Sequence, residues 1–187
     1  MNREEWLTTL AKSVEVLFRE YSLEKYKLTC GWPSRFATGL KMRRVGECHS
    51  KVLSKSGIFE IFISPTIDTP LEVAGIVCHE LAHIAAGIKE GHGPKFQKVC
   101  KFLGLTKGKP TQVMPGKFLN ERLTKEVAKL GPYPHQALQI AIKEVAQSDP
   151  SFTLICTCGC KCRMNLEWLT KAGFPTCGCG KLFDLKK

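Results

Sequence analysis

Apolar residues recur at helical spacing near the start of this chain and at strand spacing soon afterwards. Residues 3–20 carry an apolar stripe that predicts an amphipathic helix with one core-facing side, formed by Trp6, Leu7, Leu10, Val14, Leu17 and Phe18. The runs "KMRRVGECHSKV" and "GIFEIFIS" have the composition of strands and are separated by "LSKSG". Together they predict an antiparallel hairpin. The second run is apolar on both faces, so we expect it inside a sheet.

Helix signals follow in the middle of the chain. The stretch "DTPLEVAG" places Thr69 at an N-cap and Pro70 at the first helical position, and Glu72 completes a predicted capping box. This helix should end near Gly87. A second helix should run from Pro94 to Gly104 and bury one stripe, made of Phe96, Val99, Cys100 and Leu103.

The rest of the chain predicts loops, short helices and a separate tail. Residues 106–116 are rich in Gly, Pro and Lys and indicate a loop, while 119–130 and 135–147 indicate two short helices. Asp149, Pro150 and Ser151 mark a boundary. We therefore expect an α+β fold with two domains, residues 1–150 and a cysteine-rich 151–187.

The net charge of +11 is concentrated, since residues 95–125 hold eight basic side chains and one acidic one. Such a field favours a polyanionic partner, most simply DNA, although a merely soluble basic surface is the alternative. Lys95, Lys98 and Lys101 should face solvent on the second helix. The N-terminus lacks the apolar run of a signal peptide, and the most apolar stretch carries polar groups. We expect a cytoplasmic monomer that does not enter a membrane.

Three of the five histidines fall within "HELAHIAAGIKEGHGPKF". His79 and His83 are one helical turn apart, so both rings can reach one metal ion, and Glu80 can reach a water bound to that ion without binding the metal. His92 follows the helix end between Gly91 and Gly93, which let the backbone turn back towards the metal. This pattern predicts a zinc hydrolase site with Glu80 as the general base.

These residues resemble the SprT-like zinc metallopeptidases, whose eukaryotic relatives include the DNA-protein crosslink protease Spartan. The resemblance rests on "CHELAHIAAG", on "GHGPKF" and on the cysteine-bearing tail. It implies a zincin-like fold of the minigluzincin type, His79, His83 and His92 as zinc ligands, and Glu80 as the catalytic base. Short relatives of this kind suggest a phage or prophage origin. The metzincin family is disfavoured, because the position where it needs a third histidine is Lys89.

The tail contains "CTCGCKC" and a later "CGCG". Their parallel form favours a zinc ribbon held by Cys156, Cys158, Cys177 and Cys179, with Cys160 or Cys162 as alternatives to Cys158. Lys161 and Arg163 are candidate nucleic-acid contacts, and Trp168 is expected in the small core of the ribbon. The remaining cysteines should pack as apolar residues, namely Cys30, Cys48, Cys78 and Cys100.

The sequence thus predicts a zinc endopeptidase with one catalytic and one structural zinc ion. Its substrates would be proteins bound to or crosslinked on DNA, single-stranded DNA included. Two alternatives stay open: a nucleic-acid-binding or transcription-associated protein whose histidine-site zinc is structural or weakly active, and a protease for one repressor or host factor. Tyr26, Tyr133 and His135 are all candidates for stabilising an oxyanion.

Overall fold

A computed structural model describes residues 1–38, 43–108, 114–140 and 151–185. The chain divides into two compact units, Met1–Ile140 and Ala141–Lys187. Each unit is described by itself below. Among the described residues, no helix is long and apolar enough to cross a lipid bilayer.

The first unit combines four α-helices with two small sheets, so the α+β prediction is confirmed. In chain order the elements are α1 (Arg3–Val14), β1 (Tyr26–Cys30), β2 (Gly46–His49), β3 (Phe59–Ile63), α2 (Pro70–Ala86), α3 (Pro94–Leu103), β4 (Leu105–Lys107), β5 (Met114–Pro115) and α4 (Lys117–Leu130). Short 3-10 turns cover Glu15–Phe18, Lys51–Leu53 and Ile88–Glu90.

The main sheet has the strand order β1-β3-β2, with β3 in the centre as predicted. The predicted hairpin is present, because β2 pairs with β3 in antiparallel register from Gly46↔Ile63 to His49↔Glu60. Strand β1 was not predicted, and it pairs with β3 in parallel, which makes the sheet mixed. Strand β2 therefore lies at one edge of this sheet.

The core lies between the sheet and the helices. Phe59, Ile61 and Ile63 alternate with partly exposed neighbours along β3, so one face of the strand is buried. The apolar stripe of α1 is buried as predicted, and Leu17 alone of the predicted set is only partly buried. Helix α3 begins and ends where the sequence predicted. It buries the four expected residues, namely Phe96, Val99, Cys100 and Leu103.

Helix α2 also has its predicted bounds, but its predicted capping box is absent. Thr69 is the N-cap, yet its side chain makes no capping hydrogen bond. Pro70 has no amide hydrogen, so the first turn has one donor fewer to satisfy. The prediction of a capping box was wrong, while the positions of Thr69, Pro70 and the C-terminal Gly87 were right.

Two predicted loop and helix assignments are corrected. The predicted loop 106–116 is not all loop, because parts of it belong to β4 and β5, which pair in antiparallel fashion. Residues 135–140 are not helical: the amide of Leu138 donates to the Pro65 carbonyl at 2.8 Å, and the amide of Ala137 donates to Asp68 at 3.1 Å. These contacts with a distant loop replace helical hydrogen bonds. The remainder of the predicted 135–147 helix lies outside the described residues.

The second unit is a small antiparallel sheet with one short helix. Its elements are β6 (Ser151–Ile155), β7 (Lys161–Asn165), α5 (Leu166–Ala172) and β8 (Asp184–Leu185), in the strand order β7-β6-β8. Within the described part of this unit only Leu154, Cys156 and Cys177 are buried. Trp168 is 56% exposed, so its predicted place in the core was wrong. Apolar burial on this scale cannot fold a unit of this size without another source of stability.

Candidate metal centres

The first unit brings together three imidazoles from two separate segments. His79 and His83 lie on α2 and His92 on the loop before α3, and one ring nitrogen from each lies within 4.8 Å of the others. The Nε2 atoms of His79 and His92 are 3.3 Å apart. This is the set that the sequence predicted as metal ligands, and the three groups could hold one ion.

The glycines on either side of His92 allow the loop to turn so that His92 lies near α2. Gly91 has φ +53°, a left-handed conformation that favours glycine. Gly93 has an extended backbone instead, and it is required for close approach, because a Cβ there would meet the Glu90 carbonyl oxygen at 2.9 Å. The side chain of Gln97 then donates to the His92 carbonyl at 3.0 Å. The loop geometry is thereby fixed from both sides.

Phe96 supports all three imidazoles from α3. Its ring is fully buried and stacks on His83 with 4.3 Å between ring centroids. The centroids of His79 and His92 each lie 5.0 Å from the same ring. The sequence predicted that Phe96 is buried, but only the fold shows that it is the common wall of the histidine cluster.

The environment keeps these histidines neutral, which is the form that binds metals. Burial lowers the pKa of His79 to about 3, and the neighbouring histidines add to this effect. Burial also lowers the pKa of His83 to about 4, with His92 contributing and a hydrogen bond to the Gly91 backbone opposing. The pKa of His92 is lowered by burial and by the charge of Arg44.

Glu80 is buried between α2 and the edge strand β2. Its residue is 5% exposed, and a Cβ atom at Gly46 would overlap its carboxylate and lie 2.6 Å from Ile76. Burial raises the pKa of Glu80 to about 8, and Glu47 acts in the same direction, while Arg44 and the backbone of Cys48 oppose the shift. The glycine on β2 thus creates the space in which this carboxyl, one residue after His79, is buried.

Arg44 is the charged group that sequence reasoning missed. Its guanidinium pairs with Glu47, and its charge acts on Glu80 as well as on His83 and His92. Only the fold could reveal this, because the dipeptide "RR" before a strand carries no signal for a metal site. Arg44 is a cation at the rim of the histidine cluster.

The three predicted oxyanion residues have different surroundings. The Tyr26 hydroxyl donates to Glu15, and His135 contacts the guanidinium of Arg3 at 3.3 Å and the Pro65 carbonyl at 2.8 Å. The Tyr133 ring packs on Trp6 with 4.9 Å between centroids, and its buried hydroxyl has no hydrogen-bond partner among the described residues. None of these contacts involves the histidine cluster. His49 lies on β2, 3.1 Å from Glu47.

The second unit brings together the four cysteines that the sequence favoured. Cys156, Cys158, Cys177 and Cys179 place their sulfur atoms within 4.8 Å of one another. The pairs Cys156–Cys179 and Cys158–Cys177 have sulfur separations of 3.5 and 3.6 Å. Cys160 and Cys162, the predicted alternatives, are outside this group.

Two turns of the same form hold these cysteines. The amide of Cys156 donates to the Cys160 carbonyl at 2.9 Å, and that of Cys177 donates to Lys181 at 2.7 Å. In each turn a glycine has a left-handed backbone, with φ +90° at Gly159 and +84° at Gly180. The parallel CxCG pattern therefore encodes a repeated turn, although only one residue separates the cysteines.

Hydrogen bonds within this group shift two thiol pKa values in opposite directions. A bond from the Lys181 backbone lowers the pKa of Cys179, but the neighbouring thiols outweigh it and raise that pKa to about 12. Hydrogen bonds from the Cys160 backbone and from the neighbouring thiols lower the pKa of Cys158 to about 6. A thiolate is the form of cysteine that binds metals. Elsewhere Cys30, Cys78 and Cys100 are buried and Cys48 is partly buried, as expected for packing residues.

The predicted DNA contacts are exposed and belong to different units. Lys95, Lys98 and Lys101 face solvent on α3, and Lys95 lies 3.8 Å from Glu90. Lys161 and Arg163 are exposed on β7 of the other unit, where Arg163 donates to Ser151 at 2.9 Å.

Comparison with known proteins gives no family assignment. No protein-family model, no curated protein and no solved structure matches this chain. The functional argument therefore depends on the geometry of the two centres.

We predict two independent metal ions per chain, measured by elemental analysis of the purified protein. His83→Ala should remove one ion, and Cys156→Ser should remove the other, because each change deletes a ligand of one cluster. A chelator should strip the histidine ion first, since four cysteines leave less room for exchange. Finding one ion or none would contradict the assignment of two centres.

We also predict that the left-handed glycines control the cysteine centre. Gly180→Ala should weaken metal binding by about 1–2 kcal/mol, the cost of a left-handed non-glycine residue. Gly178→Ala is the matched control, because Gly178 is not left-handed and a Cβ there meets nothing within 4 Å. Competition titration with a chromogenic chelator measures both. Equal affinities would mean that the turns tolerate a side chain.

Proposed function

We propose that this protein is a zinc-dependent endopeptidase with a zincin-like, SprT-type catalytic domain and a zinc ribbon. The observation that carries the proposal is the convergence of three imidazoles on one point, with a buried carboxyl, Glu80, directly following the first of them on α2. A purely structural metal site gains nothing from a buried carboxyl next to its ligands. The same placement matches the resemblance to SprT-like peptidases.

The donor atoms of both centres fit zinc. Three nitrogens bound at about 2.0–2.1 Å in a tetrahedral arrangement lie about 3.3 Å apart, and four sulfurs bound at about 2.3 Å lie about 3.8 Å apart. The observed separations are 3.3 Å between His79 and His92 and 3.5–3.6 Å between the cysteine pairs. Three protein ligands leave one coordination position for water or substrate, while four close the site.

The chain supplies the remaining catalytic parts. His79, His83 and His92 would hold the zinc ion, which would supply Lewis-acid chemistry. Glu80 would act as the general base that takes a proton from the attacking water and delivers it to the leaving amine. A nearby dication favours the ionised carboxylate, which offsets the effect of burial on Glu80. Strand β2 is an edge strand of its sheet among the described residues, and an extended substrate would pair along it.

The substrate class that we propose is protein bound to or crosslinked on DNA. Its support is the exposed lysines of α3, which follow His92 directly in the chain, and the exposed cations and aromatics of the ribbon. Trp168 and Phe174 are 56% and 43% exposed, as residues that stack on bases must be. Action in the cytoplasm of a bacterial or phage-infected cell, as a monomer, belongs to the same proposal.

We predict that Glu80→Gln keeps the metal of the histidine site and abolishes hydrolysis of a peptide substrate, because an amide cannot accept the proton of the water. Glu72→Gln is the matched control on the same helix, since Glu72 is exposed and makes no capping bond. A fluorogenic peptide library, assayed with and without single-stranded DNA, measures activity. Wild-type rates in Glu80→Gln would contradict the general-base role.

We predict that changing Lys95, Lys98 and Lys101 together to Glu weakens DNA binding and flattens its salt dependence. For single strands the slope should fall by about 0.7 for each lost phosphate contact, so by up to about 2. Metal content and cleavage of a short free peptide should not change. Anisotropy of a labelled oligonucleotide measures the slope.

The control changes Lys12, Lys25 and Lys27 to Glu, three exposed lysines distant from α3 in sequence, which alters the net charge equally. An equal effect in both triple variants would mean that only the overall charge matters. An unchanged slope in the α3 variant would favour the alternative function, a protease for one specific repressor or host factor.

A further inference from the structure

The segment 31–38, which follows β1, exposes two large aromatic side chains. Trp32 is 45% exposed and Phe36 is 59% exposed. Pro33 between them is buried, so the segment packs on the protein through its middle and presents the aromatic rings outward. Two such rings within five residues form an exposed apolar surface of the kind that marks interaction sites. We call residues 31–38 the aromatic loop.

Hydrogen bonds fix the aromatic loop to the start of β2. The carboxylate of Glu47 accepts from the Ser34 amide at 2.6 Å and from the Ser34 hydroxyl at 2.9 Å. Arg44 pairs with the same carboxylate, and its amide donates to the Phe36 carbonyl at 3.1 Å. These bonds from three residues hold the loop in place, so its aromatic rings are presented by an ordered backbone.

The backbone of Phe36 is strained. Its φ of +57° is the one left-handed value at a non-glycine residue among those the structure describes. This conformation costs about 1–2 kcal/mol for an L-residue. The exposed ring gains little from packing in return, and strain that is kept at an exposed side chain is typical of functional sites.

Two arginines close to these aromatic residues in sequence have no acidic partner among the described residues. Arg35 and Arg43 are exposed, and within the described residues neither has a carboxylate within 4.0 Å. Glu47, the acidic group of this surface, is occupied by Ser34 and Arg44. Exposed aromatic rings and guanidinium groups close together in sequence match a ligand that has both planar bases and phosphates. A purely apolar protein surface would leave the two arginines without partners.

We propose that the aromatic loop binds single-stranded nucleic acid, with bases stacked on Trp32 and Phe36 and phosphates contacted by Arg35 and Arg43. This site is distinct from the lysines of α3 and from the ribbon. Glu47, which anchors the aromatic loop, is next to Gly46, and Gly46 touches Glu80. The bound nucleic acid would therefore be held near the catalytic carboxyl. The relevance to cleavage rests on the proposed peptidase function, whereas the binding site itself does not.

The test is binding of a labelled oligodeoxythymidylate to the full-length, metal-loaded chain carrying Glu80→Gln, which prevents self-cleavage. Trp32→Leu with Phe36→Leu keeps apolar bulk but removes both aromatic faces. Stacking is worth about 1–3 kcal/mol per base, so affinity should fall at least about tenfold, while the salt slope stays constant. Phe118→Leu is the control, since Phe118 is 82% exposed on α4.

Two further measurements localise the contact. Arg35→Ala with Arg43→Ala should reduce the salt slope by about 1.4, at about 0.7 per phosphate contact. Photocrosslinking with 5-iodouracil in the oligonucleotide, followed by mass spectrometry, should mark Trp32 or Phe36. Unfolding temperature and metal content should match the parent protein in every variant, which separates lost binding from lost folding.

Several results would overturn the proposal. They are unchanged affinity in the double leucine variant, an equal loss in Phe118→Leu, or crosslinks confined to the ribbon. If the double leucine change in the otherwise wild-type chain raises the KM for peptides and leaves DNA binding intact, the loop binds polypeptide instead. A chain that binds DNA through this loop but never cleaves peptides would refute the peptidase function and leave the loop assignment standing.

Discussion

The arrangement of the histidine site depends on the burial of one carboxyl group, that of Glu80, against the edge of a sheet. Removing a charge from water is costly, and Glu80 is buried where α2 crosses β2. The approach is possible only because β2 has glycine at position 46. With Glu80 turned towards β2, His79 and His83 lie one helical turn apart on α2 and converge with His92.

Packing between α2 and α3 completes the site. Phe96 lies against all three imidazoles, so the ligand geometry depends on the position of a helix that holds no ligand. The loop between the helices has little freedom, because Gly91 and Gly93 accept backbone conformations or contacts that a side chain would prevent. The fold therefore orders the three histidines before a metal ion binds. Little of the free energy of metal binding is lost in ordering them.

The sequence predicted local features better than distant ones. Proline and glycine gave the bounds of α2 and α3, because these residues act within one turn of the chain. The mixed sheet was missed because β1 pairs with β3 across the intervening residues 31–58. The absence of a helix at 135–140 depends on contacts with Pro65 and Asp68. The histidine and cysteine groups were predictable since their spacing is local. Arg44 was not, because only tertiary structure brings it to the histidine cluster.

The central claim is that the histidine site binds its metal through three protein ligands and leaves Glu80 free to act as a base. Anomalous diffraction at the zinc absorption edge tests it most directly. The account predicts one peak at about 2.0–2.1 Å from a ring nitrogen of His79, His83 and His92, with the Glu80 carboxylate outside bonding distance. A second peak should lie among the four cysteine sulfurs. A zinc ion bound directly by Glu80, or no peak between the histidines, would contradict the account.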